Sequence, residues 1–216
     1  MKSLFGLLLV CLFATSLRAH PHVFIDTGFA LILNGEGQLT HVRVIWEYDE
    51  LYSLLVTEDM ELDRDGDGAL TPDEIARLTG FDMNWVEGFN GDLVIAEGAV
   101  PLALSGPEEI TASFANGRVT TTHLRALERP VPAGQTATIK PYDATYYTAY
   151  DVSRPVTVAG GGSCKIEVTV PDMNAGLIAL QGQLAELDAE TDPLDAGLPE
   201  IGAELANSVI VTCAAS

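Results

Sequence analysis

The chain has 216 residues, 47% of them hydrophobic, and its 31 acidic against 11 basic side chains give a formal charge of −20 at neutral pH. Such a balance excludes nucleic acid and anionic membrane surfaces as partners and favours cations. The length suffices for one substantial core or two small ones.

Residues 1–19 read as a secretory signal peptide. Lys2 supplies the positive start, Leu4 to Ala14 an apolar run broken by Gly6, and Ala14, Ser16 and Ala19 the small residues of a cleavage region. Cleavage falls after Ala19, leaving His20 as the new N-terminus, or after Ser16. The apolar run is too short to span a bilayer, and no later segment reaches about 18 apolar residues, so the mature chain is expected to be exported without membrane insertion. Cys11 leaves with the signal peptide. Cys164 and Cys213 then form one pair in an oxidising compartment, which predicts a disulfide; the competing reading is two thiolate metal ligands, although neither has a CxxC partner.

The mature chain opens with a β-rich stretch from His22 to Leu33, a break at Asn34-Gly35-Glu36-Gly37, and a second strand from Leu39 to Tyr48 in which Val42, Val44, Trp46 and Tyr48 alternate. This pattern predicts a hairpin with one apolar face. Asp49 can cap a helix carrying Leu51, Leu54, Leu55 and Leu62 near one stripe, and Thr71-Pro72 opens a further helix that Gly80 ends. Strands return at 93–96, 100–104 and 110–115, the last joined through Asn116-Gly117 to 119–127, and again at 136–140, 146–152, 156–158 and 165–170. Met173, Leu177, Leu180, Leu184 and Leu187 mark a helix with a narrow apolar stripe, followed by a Pro- and Asp-rich loop from Asp188 to Pro199, a short helix and a strand from Val209 to Thr212. The expected architecture is one α+β domain over residues 20–216, an antiparallel sheet with an EF-hand-like helix–loop–helix inserted at residues 49–80.

That insertion is expected because residues 63–74 read DRDGDGALTPDE. Asp63, Asp65 and Asp67 occupy the first, third and fifth places of a calcium loop, Gly68 the sixth, the Ala69 carbonyl the seventh, Thr71 the ninth and Glu74 the twelfth. A hard divalent cation prefers oxygen ligands, and the glycines permit the turn that gathers them. Calcium is the expected ion, with magnesium the lesser candidate. The competing account is a capping box between Thr71 and Glu74, which explains two residues and leaves three alternating aspartates unaccounted for. Neither the stretch from Asp188 nor that from Asp82 supplies a second loop, so the loop is read as a solitary structural clip rather than a sensor.

In an extended strand His20, His22 and Asp26 point to one side, a donor set suited to zinc, nickel or copper. Pro21 lacks an amide proton and so excludes the square-planar copper site built from backbone nitrogens. The competing account makes both histidines solvated or packed. His123, in a strand, is expected to take a core or surface role.

The stretches HPHVFID at residues 20–26, VIWEYDELYS at 44–53, PYDATYYTAYDV at 141–152 and VIVTC at 209–213 resemble a family of bacterial periplasmic proteins of unknown function, often labelled periplasmic components of ABC-type transport systems. Members are often encoded beside a nickel/cobalt-exporter-type membrane permease, and some are implicated in zinc uptake. The resemblance implies a periplasmic accessory protein for transition-metal transport, with metal ions and such a permease as partners. It favours a zinc or nickel role for His20 and His22, with Asp26 as the third candidate ligand, because a transition-metal handler needs softer ligands than an all-oxygen loop. The chain carries no Gly-x-Ser-x-Gly, no His-Glu-x-x-His and no phosphate-cradling loop, so a binding role is expected rather than an enzymatic one. The alternative class is a calcium-stabilised interaction module with no transport role, in which the stripe from Met173 to Leu187 contacts a partner.

Overall fold

The structure, a computed structural model, describes residues 21–172 and 201–215. The expected signal peptide, His20, the helix from Met173 to Leu187 and the loop from Asp188 to Pro199 lie outside the described residues. Among the described residues the chain forms eleven strands and three short helices: β1 (Val23–Leu33), β2 (Leu39–Tyr48), α1 (Glu50–Asp59), α2 (Pro72–Leu78), β3 (Leu93–Glu97), β4 (Val100–Leu102), β5 (Glu108–Ala115), β6 (Arg118–Val131), β7 (Thr136–Pro141), β8 (Thr148–Asp151), β9 (Val156–Ala159), β10 (Cys164–Thr169), α3 (Ile201–Glu204) and β11 (Ser208–Cys213).

The strands make two sheets. The first runs β5-β6-β2-β1-β8, with β9 also on β1, and the second runs β10-β11-β7-β3-β4. Period-two alternation gives each sheet one apolar face. Phe29, Leu31, Val42, Val44 and Val119 from the first sheet and Ile95, Ile139, Val209 and Val211 from the second are fully buried in one shared core. Asn116 and Gly117 both take positive φ, as a two-residue hairpin between β5 and β6 requires.

Not all of the pairing is antiparallel. β8 and β9 both lie parallel to β1, β8 along Val23–Asp26 and β9 along Phe29–Ile32. Between them Arg154 donates to the Thr27 carbonyl, and Phe29 donates to that of Pro155. A Cβ on Gly28 would come within 2.8 Å of Arg154 Cβ, so the glycine is what lets the β8–β9 connection close on β1. On the outer face of this sheet Arg118 holds Asp26 at 2.6 Å and Glu47 at 2.9 Å, and Arg154 pairs with Glu47.

These observations correct the expected α+β class. The protein is mostly β, and residues 49–80 do not form an EF-hand helix–loop–helix. α2 has only seven residues, and the two helices pack on different strands of the first sheet, α1 on β6 and α2 on β5. Asp49 caps α1 as expected, its carboxylate accepting from the Tyr52 and Phe24 amides. Of the leucine stripe only Leu62, just past α1, enters the core: Leu51, Leu54 and Leu55 are 65%, 54% and 57% exposed, while Ser53, Val56 and Thr57 are buried. The Ser53 hydroxyl accepts from the Val119 amide, and this bond turns the polar side of the helix towards the sheet.

The disulfide joins Cys164 to Cys213, which face each other across β10 and β11 and close a loop of 49 positions. In the chain-entropy account such a loop stabilises by about 4 kcal/mol. We expect the Cys164→Ser/Cys213→Ser variant to lose up to that amount in urea unfolding; an unchanged midpoint would show that the second sheet does not lean on the bridge.

Candidate functional site

The acidic loop between α1 and α2 is organised by its own backbone. Asp63, Gly66 and Gly68 adopt positive φ, which bends the segment tightly enough for the Asp63 carboxylate to accept from the amides of Asp67 at 3.0 Å and Gly68 at 3.1 Å. Asp67 accepts in turn from the Ala69 amide. Asp63, Asp65 and Asp67 each offer an oxygen within 4.8 Å of the others, and among the described residues no other group of three or more such ligands gathers. Three like charges at that separation repel unless a cation lies among them.

Thr71 and Glu74 form the capping box of α2: the Thr71 hydroxyl accepts from the Glu74 amide, and Glu74 Oε2 accepts from the Thr71 hydroxyl and amide. The bond from the Thr71 hydroxyl, with that from its amide, holds the Glu74 carboxyl below the usual carboxylate range. Its other oxygen accepts from the Asp63 amide at 2.9 Å, so the loop's twelfth residue is also tied to its first. The gathered donor set is three carboxylates of the hard-oxygen type that suits calcium, Asp63, Asp65 and Asp67; Glu74 stands outside that group, its oxygens taken by Thr71 and the Asp63 amide, and Ala69 and Thr71 lie in the intervening turn.

The proposed transition-metal residues are placed differently. His20 lies outside the described residues. His22 is exposed, its ring 4.9 Å from that of Tyr147. Asp26 is taken up by Ser153 and Arg118, each at 2.6 Å. Burial works to raise its carboxyl, and these two bonds together with the Arg118 and Arg154 charges more than offset it, so the group stays ionised below its ordinary range.

A second site was not visible in the sequence. At one end of the core the inward face of the first sheet turns from aliphatic to aromatic and polar, with Trp46 and Tyr48 on β2 and Thr121 and His123 on β6. The segment after α2 folds over this end and delivers Asp82, whose Oδ2 accepts from the Tyr48 and Thr121 hydroxyls, each at 2.7 Å. Asp82 Oδ1 is buried without a hydrogen-bond partner, as are Trp46 Nε1 and both ring nitrogens of His123. Burial pushes the Asp82 carboxyl up, and the two hydroxyl bonds do not fully offset it. Nearby, Tyr150 donates to Asp92, whose carboxyl burial pushes up to about 6.

The rings interlock: His123 lies edge-on to Trp46 at 4.7 Å and to Trp85 at 5.6 Å, Tyr48 stacks on Tyr52 at 5.2 Å, and the Arg125 guanidinium sits 4.8 Å from the Trp85 ring centre. Gly91 makes that last stack feasible, since a Cβ there would fall 2.3 Å from the Trp85 ring. The result is a pocket of about 350 Å³ between β1, β2, β8 and the 82–89 segment.

The class is therefore a two-sheet β protein with an ordered acidic loop and an aromatic pocket closed by a buried carboxylate. The chain belongs to a protein family of unknown function, DUF1007, whose model matches residues 5–213. No curated protein matches it in sequence. The pocket draws on three of the four stretches that carry the family likeness: Val23 and Ile25 from the first, Trp46, Tyr48 and Tyr52 from the second, Tyr147, Thr148 and Tyr150 from the third.

His123 has a testable consequence. Burial, then the Arg125 and Arg43 charges, press its imidazole down to about 3, so it is neutral in the fold. The unfolded chain binds that proton below an ordinary value of 6.5, so stability is lost as pH falls through the interval from 6.5 to about 3. Asp92, neutral in the fold up to about 6, acts with the opposite sign. We expect His123→Phe, which keeps a ring against both tryptophans, to remove about 2 kcal/mol of the acid sensitivity between pH 8 and pH 5 in urea unfolding. Parallel pH profiles for variant and parent would refute the buried neutral imidazole.

Proposed function

We propose that this chain is an exported calcium-binding protein that serves as an accessory or metal-binding component of a transition-metal transport system, handing zinc, nickel or cobalt to or from an inner-membrane permease of the nickel/cobalt-exporter type. The observation that carries the calcium part is the gathering of Asp63, Asp65 and Asp67 within 4.8 Å by a backbone that satisfies its own amides. Calcium bound there clips the short helices α1 and α2 into place over the first sheet. An extracytoplasmic module facing abundant calcium needs only a dissociation constant of about 10⁻⁴ to 10⁻³ M.

Three further features support export and cation handling: the Cys164–Cys213 bridge, the charge of −20, and the apolar segment that precedes His20. No helix among the described residues is long and apolar enough to cross a membrane. The transport link draws on the likeness to periplasmic transport components, with His20 and His22 as the soft ligands at the mature N-terminus. The role is one of binding and not catalysis. The second reading, a calcium-stabilised interaction module without a transport role, draws on the three exposed leucines of α1.

Calcium titration of the mature protein tests the first reading. One site should release or absorb heat and, at ten times its dissociation constant, stabilise the fold by about 1.4 kcal/mol; Asp63→Asn/Asp67→Asn should abolish both effects. Calcium that changes neither heat nor melting temperature would refute it. In the same material zinc should bind more weakly to a His20→Ala/His22→Ala variant, and equal zinc affinity would remove the transition-metal role from these histidines.

A further inference from the structure

We propose that the aromatic pocket beside Asp82 binds a small organic cation, an alkylammonium ion whose carbon groups lie against the rings while its charge answers the carboxylate. The proposal is independent of the calcium loop, which lies on another part of the chain.

The first argument is charge. Asp26 and Glu47 are ion-paired with arginines, whereas Asp82 forms no ion pair among the described residues. It is held by two neutral hydroxyls on one oxygen, and the other oxygen is buried without a partner. A desolvated carboxylate in that state is costly, and a cation brought into the pocket is the change that offsets the cost most directly.

The second argument is the wall. Trp46, Tyr48, Tyr52, Trp85 and Tyr150 face the same space, and Phe89 and Tyr147, 40% and 49% exposed, stand among its lining residues. Aromatic faces are electron-rich, and a ring box with one carboxylate is the arrangement that recognises ammonium groups. The molecule already uses this interaction once, with Arg125 over Trp85.

Other occupants fit less well. An anion meets the Asp82 charge. A metal ion lacks ligands, since no group of three or more metal-binding side chains among the described residues includes Asp82. A neutral apolar molecule would leave the acceptor Asp82 Oδ1 unsatisfied. A volume of about 350 Å³ lies at the small end of ligand pockets and suits an ion of a few carbon atoms.

The chain has two tryptophans, and both line this pocket, so tryptophan emission reports on it, with Trp85 also bordering a neighbouring cavity beside Arg125. Trimethylammonium titrated into the full mature protein should change the emission saturably at constant ionic strength, while tert-butanol, of similar size but uncharged, should not. Asp82→Asn, which keeps an acceptor for Tyr48 and Thr121, should weaken the response about tenfold or more, and Tyr52→Leu several-fold. Should Asp82→Asn fail to fold, Tyr52→Leu at the pocket edge still decides. The proposal is overturned by the absence of a saturable change, by an equal response to tert-butanol, or by a response that a folded Asp82→Asn or Tyr52→Leu protein retains in full.

Discussion

Two hydrogen bonds to one carboxylate oxygen set the layout of the functional end of this molecule. Tyr48 and Thr121 sit on neighbouring strands, and their hydroxyls meet at Asp82, 34 and 39 positions away in the chain. That junction pins the segment after α2 to the inward face of the first sheet. Trp85 follows, its indole nitrogen donating to the Asp82 carbonyl and its ring stacked against Arg125 and edge-on to His123. Without the junction, the aliphatic core would still form between the sheets, but nothing would close its polar end. Satisfying one oxygen and burying the other leaves a charge that the surrounding rings favour compensating with a cation.

The two candidate sites differ in construction and therefore in what they can do. The acidic loop is local: its carboxylates come from twelve consecutive residues, Asp65 and Asp67 exposed and Asp63 half-buried, and the backbone already supplies the turn. The cation proposed for it would fix a connection between helices. The pocket is assembled from β1, β2, β8 and the crossing segment, and it is lined by rings with one carboxylate. Such a place selects shape and charge together, as a binding site for an organic ligand must.

Much of the fold was legible because its signals are local. Every strand predicted from alternation is present within a few residues, and the Asn116-Gly117 hairpin forms with both residues at positive φ. The acidic loop was legible for the same reason. What failed was non-local. The division into two sheets and the parallel placement of β8 and β9 on β1 depend on partners far along the chain, reached through the missing Cβ of Gly28. The leucines of α1 suggested a buried stripe, yet Ser53 anchors the helix by its polar side. Asp26 was proposed as a metal ligand with the histidines, and its pairing with Arg118, 92 positions away, was not legible in the sequence. The pocket had no motif to announce it: Asp82 sits in a segment without periodicity, and the hints were three buried polar positions, Thr121, His123 and Arg125, alternating on one face of β6 between Val119 and Leu127.

The account depends on Asp82 being desolvated and without a counter-charge. The most direct measurement is the titration of its side-chain carboxyl by carbon-detected NMR, assigned through the Asp82→Asn variant. The structure predicts a midpoint above the ordinary 3.8 in the protein alone and a downward movement when trimethylammonium fills the pocket. A midpoint at or below 3.8 without the ammonium ion would contradict it.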